Sequence, residues 1–205
     1  MSRAALALAV ALCVVACQPS AGASFQPEGA CAIDGRGPGT YPSLEQMLPR
    51  GLGEEGPTSV DSGRSCSDQR LSTLKSHGVS DLRYAGATWT PEGGSSTVIA
   101  VFMTPAGSPP LQSAWMAEFY EAGARASTKT ENIEISHPTY EQAGVVYQLN
   151  TLNDLSFQSV VVWPGDAIVH VVIVATQLQP GGQTRADHDA SVRLAVLWAA
   201  KGRTG

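Results

Sequence analysis

Phe157-Gln-Ser-Val-Val-Val-Trp163, Pro164-Gly-Asp166 and Ala167-Ile-Val-His-Val-Val-Ile-Val-Ala-Thr176 read as a single β-hairpin. β-Branched residues dominate both arms, and Pro-Gly-Asp between them has the chemistry of a chain reversal. From Ala167 to Ala175 the second arm is apolar on both faces except at His170. A strand that hydrophobic on both sides belongs in the middle of a sheet, with helices over it.

The flanking sequence supplies the rest of that sheet. Leu82 to Trp89 and Thr97 to Met103 make a second strand pair around Thr90-Pro-Glu-Gly-Gly94, and shorter strands are predicted near Ile133 to Ser136 and Val145 to Leu149. Pro109-Pro110 opens a helix with Leu111, Ala114, Trp115, Phe119 and Ala122 on one face. A last helix from about Thr184 has Asp187 and Asp189 near its start and Lys201 near its end, with Ala190, Leu194, Leu197 and Trp198 as its packing stripe. Ser43-Leu-Glu-Gln46 has capping-box spacing ahead of a short helix stopped by Pro49. Ser67 and Asp68 can cap another carrying Leu71 and Leu74, and the intervening Gly- and Pro-rich stretch through residue 65 reads as loop. Together these predict one α+β domain over 43–201, an antiparallel sheet of about six strands with helices packed on it. Segments 82–125 and 157–200 share the order strand, turn, strand, helix, but their side chains have little in common.

At the other end of the chain, Arg3 precedes an apolar run from Ala4 to Val15, closed by Val14-Val15-Ala16-Cys17. That run is shorter than the roughly 20 residues a membrane-spanning helix needs. It resembles the lipobox signal of bacterial lipoproteins. The resemblance implies removal of residues 1–16, diacylglycerol on the Cys17 sulfur, and an extracytoplasmic protein anchored by lipid to the cell membrane or the outer membrane. Gln18 in place of aspartate favours the outer membrane where there are two. An ordinary secretory signal cut near Ala21 or Ala23 is the competing reading. Residues 17–42, rich in Gly, Pro, Ser and Ala, read as the lipidated terminus and a flexible tether. Once Cys17 carries lipid, Cys31 and Cys66 remain as an even pair in a compartment that permits disulfides, and are expected to bond to each other. The element order of the domain is similar to that of the Mog1/PsbP-like fold, a scaffold for adaptor and envelope proteins, with no motif behind the likeness.

The whole chain has a formal charge of −5, and loss of Arg3 with the signal leaves 12 basic against 18 acidic residues, or −6. An acidic chain of this kind has no electrostatic footprint for nucleic acid or for an anionic bilayer. There is no CxxC, HExxH, Walker loop, GxSxG or dinucleotide glycine pattern, so neither cofactor nor metal is expected.

Several residues have both a chemical and a plain reading. Ser72-Thr-Leu-Lys75 matches the SxxK of penicillin-binding proteins and β-lactamases, without their Ser-Asp-Asn and Lys-Thr-Gly companions; otherwise it is a solvated helix face. His170 is a ligand or base inside a pocket, or a core histidine bonded to a neighbour such as Ser159 across a two-residue turn. Glu118 and Glu121 are a helical carboxylate pair, or a solvated edge. Trp89, Trp115, Trp163 and Trp198, with His170, are candidates to line an apolar ligand cleft, against ordinary core packing. His77, His137 and Asp187-His188-Asp189 read as ends of elements.

The expectation is therefore a lipid-anchored protein of non-catalytic binding or interaction type, with a protein, a small apolar molecule or a glycan as its partner. A cell-envelope serine hydrolase or acyltransferase using Ser72 and Lys75 is the catalytic alternative, and a structural or assembly role is the third.

Overall fold

A computed structural model describes residues 25–91, 95–153, 156–177 and 183–202; the signal segment, Cys17 and turn residues 92–94 lie outside the described residues. In chain order the elements are β1 (Gly35–Gly37), α1 (Pro42–Glu45), β2 (Ser59–Ser65), α2 (Asp68–Leu71) running into a 3₁₀ turn (Ser72–His77), β3 (Leu82–Trp89), β4 (Ser96–Met103) and α3 (Ser113–Ala126). Then follow β5 (Asn132–Ser136), β6 (Thr139–Tyr140), β7 (Gly144–Val145), β8 (Tyr147–Asn153), β9 (Ser156–Pro164), β10 (Val169–Gln177) and α4 (Arg185–Lys201).

Eight strands form one sheet in the order β1-β2-β3-β4-β10-β9-β8-β5, antiparallel throughout, with β6 and β7 as a separate ribbon. This is the α+β domain that the sequence predicts, with more strands than expected. The hydrophobic arm β10 lies between β9 and β4, as its two apolar faces require. Alternate residues of β10 serve different cores. Val172 and Val174 pack with α1, α4, Trp89 and Trp163, whereas Val169 and Val171 pack with α3, Leu71, Leu74 and Met116. Leu71, Leu74 and Met116 are fully buried, each contributing about 1.5–3 kcal/mol relative to exposure.

The structure also corrects the reading in several places. β1 pairs Gly35 to Gly37 with Arg64 to Ser62, and Tyr41 is buried, so ordered structure enters the expected tether of 17–42. β2 occupies the end of the supposed loop before residue 65. Its sequence, Ser-Val-Asp-Ser-Gly-Arg-Ser, lacks an apolar alternation because the buried positions are filled by hydrogen-bonded Ser62 and Arg64. Helix α1 starts at Pro42, with no side-chain cap, so Ser43 is inside the helix and not its cap. Ser67 does cap α2, its hydroxyl accepting from the Arg70 N–H. Thr184 caps α4 in a reciprocal box with Asp187. The predicted stripe of α4 is rotated: His188, Val192, Ala195, Val196 and Ala199 face the sheet, and Leu194 is 48% exposed.

The two meanders β1-β2-β3-β4 and β5-β8-β9-β10 are each followed by a helix. A twofold axis relating antiparallel β4 and β10 would run perpendicular to the sheet and keep both helices on one side. α3 and α4 pack on opposite faces. The repeated order is therefore not a repeated structure.

Candidate functional site

On the face carrying α3, the helix covers only part of the β8–β9 surface and leaves a cavity of about 470 Å³. Alternation along the strands aims Leu149, Thr151 and Asn153 of β8 and Gln158 and Val160 of β9 into it. Phe119, Tyr120 and Ala124 of α3 form one wall, Gln69 and Ser72 another, and Ser127, Lys129 and Thr130 close the side beyond the helix. The described lining is apolar at Leu149, Val160, Phe119 and Ala124 and elsewhere carries hydroxyls, amides and one ammonium. No carboxylate stands among the described lining residues. Burial pushes the Tyr120 phenol well above its ordinary value, and its hydroxyl makes no hydrogen bond to any described residue. Lys129 pairs with no described carboxylate.

Ser72 stands at the lip of this cavity with an unusual backbone, φ 46° and ψ −124°. A serine in that region is strained by about 1–3 kcal/mol. The amine of Lys75 is not turned to it as SxxK chemistry requires; it forms an ion pair with Asp68.

The four tryptophans do not converge. Trp89 and Trp163 are buried in the core beneath α4, Trp115 packs on the opposite face, and Trp198 is half-buried with Lys201 over its ring. None of them lines the cavity. Trp89 donates its indole N–H to the carbonyl of Glu55, which accounts for it as a core residue. His170 opposes Trp163 in the hairpin and stacks on it, ring centroids 5.1 Å apart and planes 9° from parallel. The Ser159 contact considered for it does not form, because the turn is longer than two residues: Pro164 pairs with Val169, and the Gly165 N–H donates to the Ile168 carbonyl. Burial lowers the pKa of His170.

Ser159 instead meets His188. Its hydroxyl lies 2.7 Å from His188 Nε2, and Thr176 Oγ1 lies 2.7 Å from Nδ1. Tyr140 donates to Gln148 Oε1, the Gln148 side-chain amide donates to Asn150 Oδ1, and Ser159 spends its one proton on the same Oδ1, so its oxygen is left to accept at Nε2. On the other side the Thr176 hydroxyl stands between Nδ1 and the Ser95 hydroxyl, 2.6 Å away. Burial lowers the pKa of this imidazole, with Asp189 opposing and Arg185 adding to the shift. Sequence reasoning took His188 for a helix-start residue.

Glu118 and Glu121 do meet other functional groups. They border a second cavity of about 390 Å³ with His137, Tyr147 and Val145. Glu118 contacts His77 Nε2 at 2.7 Å, and His77 stacks on Trp115. Glu121 accepts from Arg125 and from the Tyr147 hydroxyl at 3.2 Å. Burial, then the Glu121 charge, pushes the Tyr147 phenol up to about 12. Both carboxylates are thus already partnered. Among the described residues no group of three or more His, Cys, Asp or Glu side chains is placed to hold a metal ion.

Cys31 and Cys66 are joined, with Cα atoms 5.5 Å apart. Asp34 accepts from the N–H groups of Cys66 and Ser67 and from the Ser67 hydroxyl. The bridge therefore sits at the start of α2, the short helix that carries Gln69 and leads to Ser72 at the cavity. Comparison with protein-family models, with curated proteins and with solved structures finds no match.

Proposed function

We propose that this chain is an exported, lipid-anchored protein whose α+β domain binds a small amphipathic molecule non-catalytically in the cavity between α3 and β8–β9. The observation that carries this reading is the cavity itself: about 470 Å³, lined by apolar Leu149, Val160 and Phe119 together with hydroxyls and amides. Cavities of this size and mixed lining suit small ligands, the apolar groups supplying affinity and the polar ones orientation. The lipobox resemblance at Val14 to Cys17 supports the anchor, which would keep the domain at the extracytoplasmic face.

Native mass spectrometry of the mature protein purified from its own cells tests the binding role. The expected result is a reproducible mass excess, lost on denaturation and absent when Val160→Arg blocks the cavity floor. A bare native mass that also stays bare after incubation with a cellular lipid and metabolite extract would remove the binding reading in favour of assembly. For the anchor, Cys17→Ser is expected to abolish lipid attachment and shift the protein out of the membrane fraction. An unchanged mature mass and fraction would sink it.

One observation favours the catalytic alternative, the strained backbone of Ser72 at the cavity lip. In that reading the Ser72 oxygen would attack the carbonyl of an ester held in the cavity, the ester C–O bond breaking and the serine proton leaving with the released alcohol. Labelling by a fluorophosphonate or β-lactam probe, lost in Ser72→Ala, would support it. No labelling of the folded protein leaves Ser72 as a wall residue.

A further inference from the structure

Resting on the binding role just proposed, we infer that the ligand is a single-chain anionic amphiphile, with its acidic head at Lys129 and its acyl tail lying across the strands. The register of the sheet places the tail. On the face carrying the cavity, Leu149 stands opposite Val160, Val160 opposite Ile173, and Ile173 opposite Val98. These four side chains form one apolar row running perpendicular to β8, β9, β10 and β4. Three inter-strand steps carry it about 14 Å.

The row passes through the cavity at Leu149 and Val160, with exposed Ile135 of β5 beyond Leu149 on one side and half-buried Ile173 and Val98 continuing it on the other. Helix α3 and the 3₁₀ turn cover the neighbouring row below, where Val171 is fully buried and Ala100 nearly so. The row above turns polar, with Thr151 opposite Gln158. At its far end Val98 stands opposite Thr88. An apolar lane one residue wide, covered at the cavity and bordered on its open side by Thr151 and Gln158, fits a flexible hydrocarbon chain better than a rigid ring or a flat protein surface.

Charge sets the polarity of the ligand. Lys129 is exposed, lacks a described carboxylate partner, and lines the cavity at the β8 end of the lane. Tyr120, half-buried and with its hydroxyl unbonded to any described residue, lines the same space as a neutral donor. An ammonium and a phenol donor, with no carboxylate among the described lining residues, select an acceptor-rich anion, as a fatty carboxylate or a lipid phosphate supplies. A cationic amphiphile would find no counter-charge among those residues.

The test uses the full chain in its membrane and photoreactive palmitate as the probe. Cross-links are expected in peptides containing Val160, Ile173 and Val98. Competition should follow the order palmitate over octanoate, with palmityl amine ineffective; palmityl phosphate competing as well as palmitate would point to a phosphate head as the natural one. Lys129→Gln, an exposed change, is expected to weaken palmitate competition about tenfold while leaving cetyl alcohol unchanged. Val98→Thr, nearly isosteric, should weaken palmitate but not octanoate. Palmityl amine competing as well as palmitate, Lys129→Gln having no effect, or cross-links away from this lane would overturn the inference. A sugar or a co-purified protein occupying the cavity in place of an acyl chain would overturn it too, while the broader binding role stood. A cavity that binds neither this probe nor any extract component would remove both.

Discussion

A few side chains carry consequences out of proportion to their size, and Gly63 is one. A Cβ built there would lie 2.4 Å from the Gly35 carbonyl oxygen and 2.8 Å from the Tyr84 hydroxyl. The tyrosine could swing aside, but the carbonyl belongs to the paired strand β1. Gly63→Ala is therefore expected to push β1 off β2 and to cost about 1–3 kcal/mol, read as a lowered thermal midpoint. A midpoint within error of the parent would mean that β1 contributes no stability. His188 shows the converse problem of a polar group in a dry place. Removing the imidazole by His188→Leu leaves the Ser159 and Thr176 hydroxyls, 1% and 0% exposed, short of a partner. Each lost bond costs about 1–3 kcal/mol, so this variant should be among the most destabilised at any single position. Recovery of native stability would show that the two hydroxyls find other partners.

Helix α4 ties that histidine to pH. The folded protein holds His188 and His170 neutral below their usual range, because burial penalises the imidazolium. The unfolded chain takes up those protons near pH 6.5, so protonation favours unfolding. The stabilising contribution is complete above about pH 6.5 and is lost as pH falls below it, by at most about 1.4 kcal/mol per pH unit for each proton. Denaturant midpoints should hold between pH 7.5 and about pH 6.5 and fall from there to pH 5, less steeply in His170→Phe, which keeps the stack on Trp163 without the titrating group. Identical slopes in the two proteins would remove His170 from the account. The same helix shows where sequence reading succeeds and where it stops. Its start at Thr184 was legible, because a capping box is local chemistry among residues three apart. Its buried face was not: Leu194 looks like core by hydropathy, yet the face is set by His188, whose partners lie on β9 and β10. The stripe His188, Val192, Ala195, Val196, Ala199 also has helical spacing, and only the assumption that a histidine stays outside hid it. For the same reason β2 was missed, its inward positions being filled by Ser62 and Arg64. The central hairpin was legible because its signal, β-branched residues on both faces, needs no distant partner. The candidate site was barely legible. Its floor residues lie on strands whose register depends on turn lengths, and the turn at 165–168 is longer than Pro-Gly-Asp suggested.

Across the whole molecule, the decisive arrangement is the capture of the N-terminal segment by the domain. Arg64, 2% exposed, places Nε and Nη2 on the two oxygens of Asp81 and turns Nη1 to the carbonyls of Gln26, Pro27 and Gly29. The Tyr41 hydroxyl donates to the Pro27 carbonyl at 2.8 Å, and the Cys31–Cys66 bond closes the segment a few residues on. Two devices of different chemistry thus hold one stretch, and they should fail separately. Closing a loop of that length by a disulfide stabilises by up to about 4 kcal/mol, whereas breaking a buried ion pair costs up to about 3–5 kcal/mol where the remaining charge is stranded. In Arg64→Met the buried Asp81 carboxylate keeps only the more distant Arg83, whose Nε lies 3.8 Å away, and residues 26–29 lose three of their hydrogen bonds, so protease should cut within them while the disulfide keeps residue 31 in place. In Cys31→Ser, Cys66 should react with thiol reagents in the folded protein, yet residues 26–29 should stay protected by Arg64. Simultaneous exposure of both regions in either single variant would show that the clamp and the bridge act as one unit. With Cys17 lipidated as proposed, the eight residues 18–25 would separate the anchor from the first clamped carbonyl. Fully extended, those residues span roughly 30 Å, and as a flexible coil about half that, which would hold the domain against the membrane surface. Arg64→Met should lengthen that leash, and fluorescence energy transfer from the domain's tryptophans to a membrane dye should fall relative to the parent. Equal transfer in the two proteins would mean that the clamp does not set the distance.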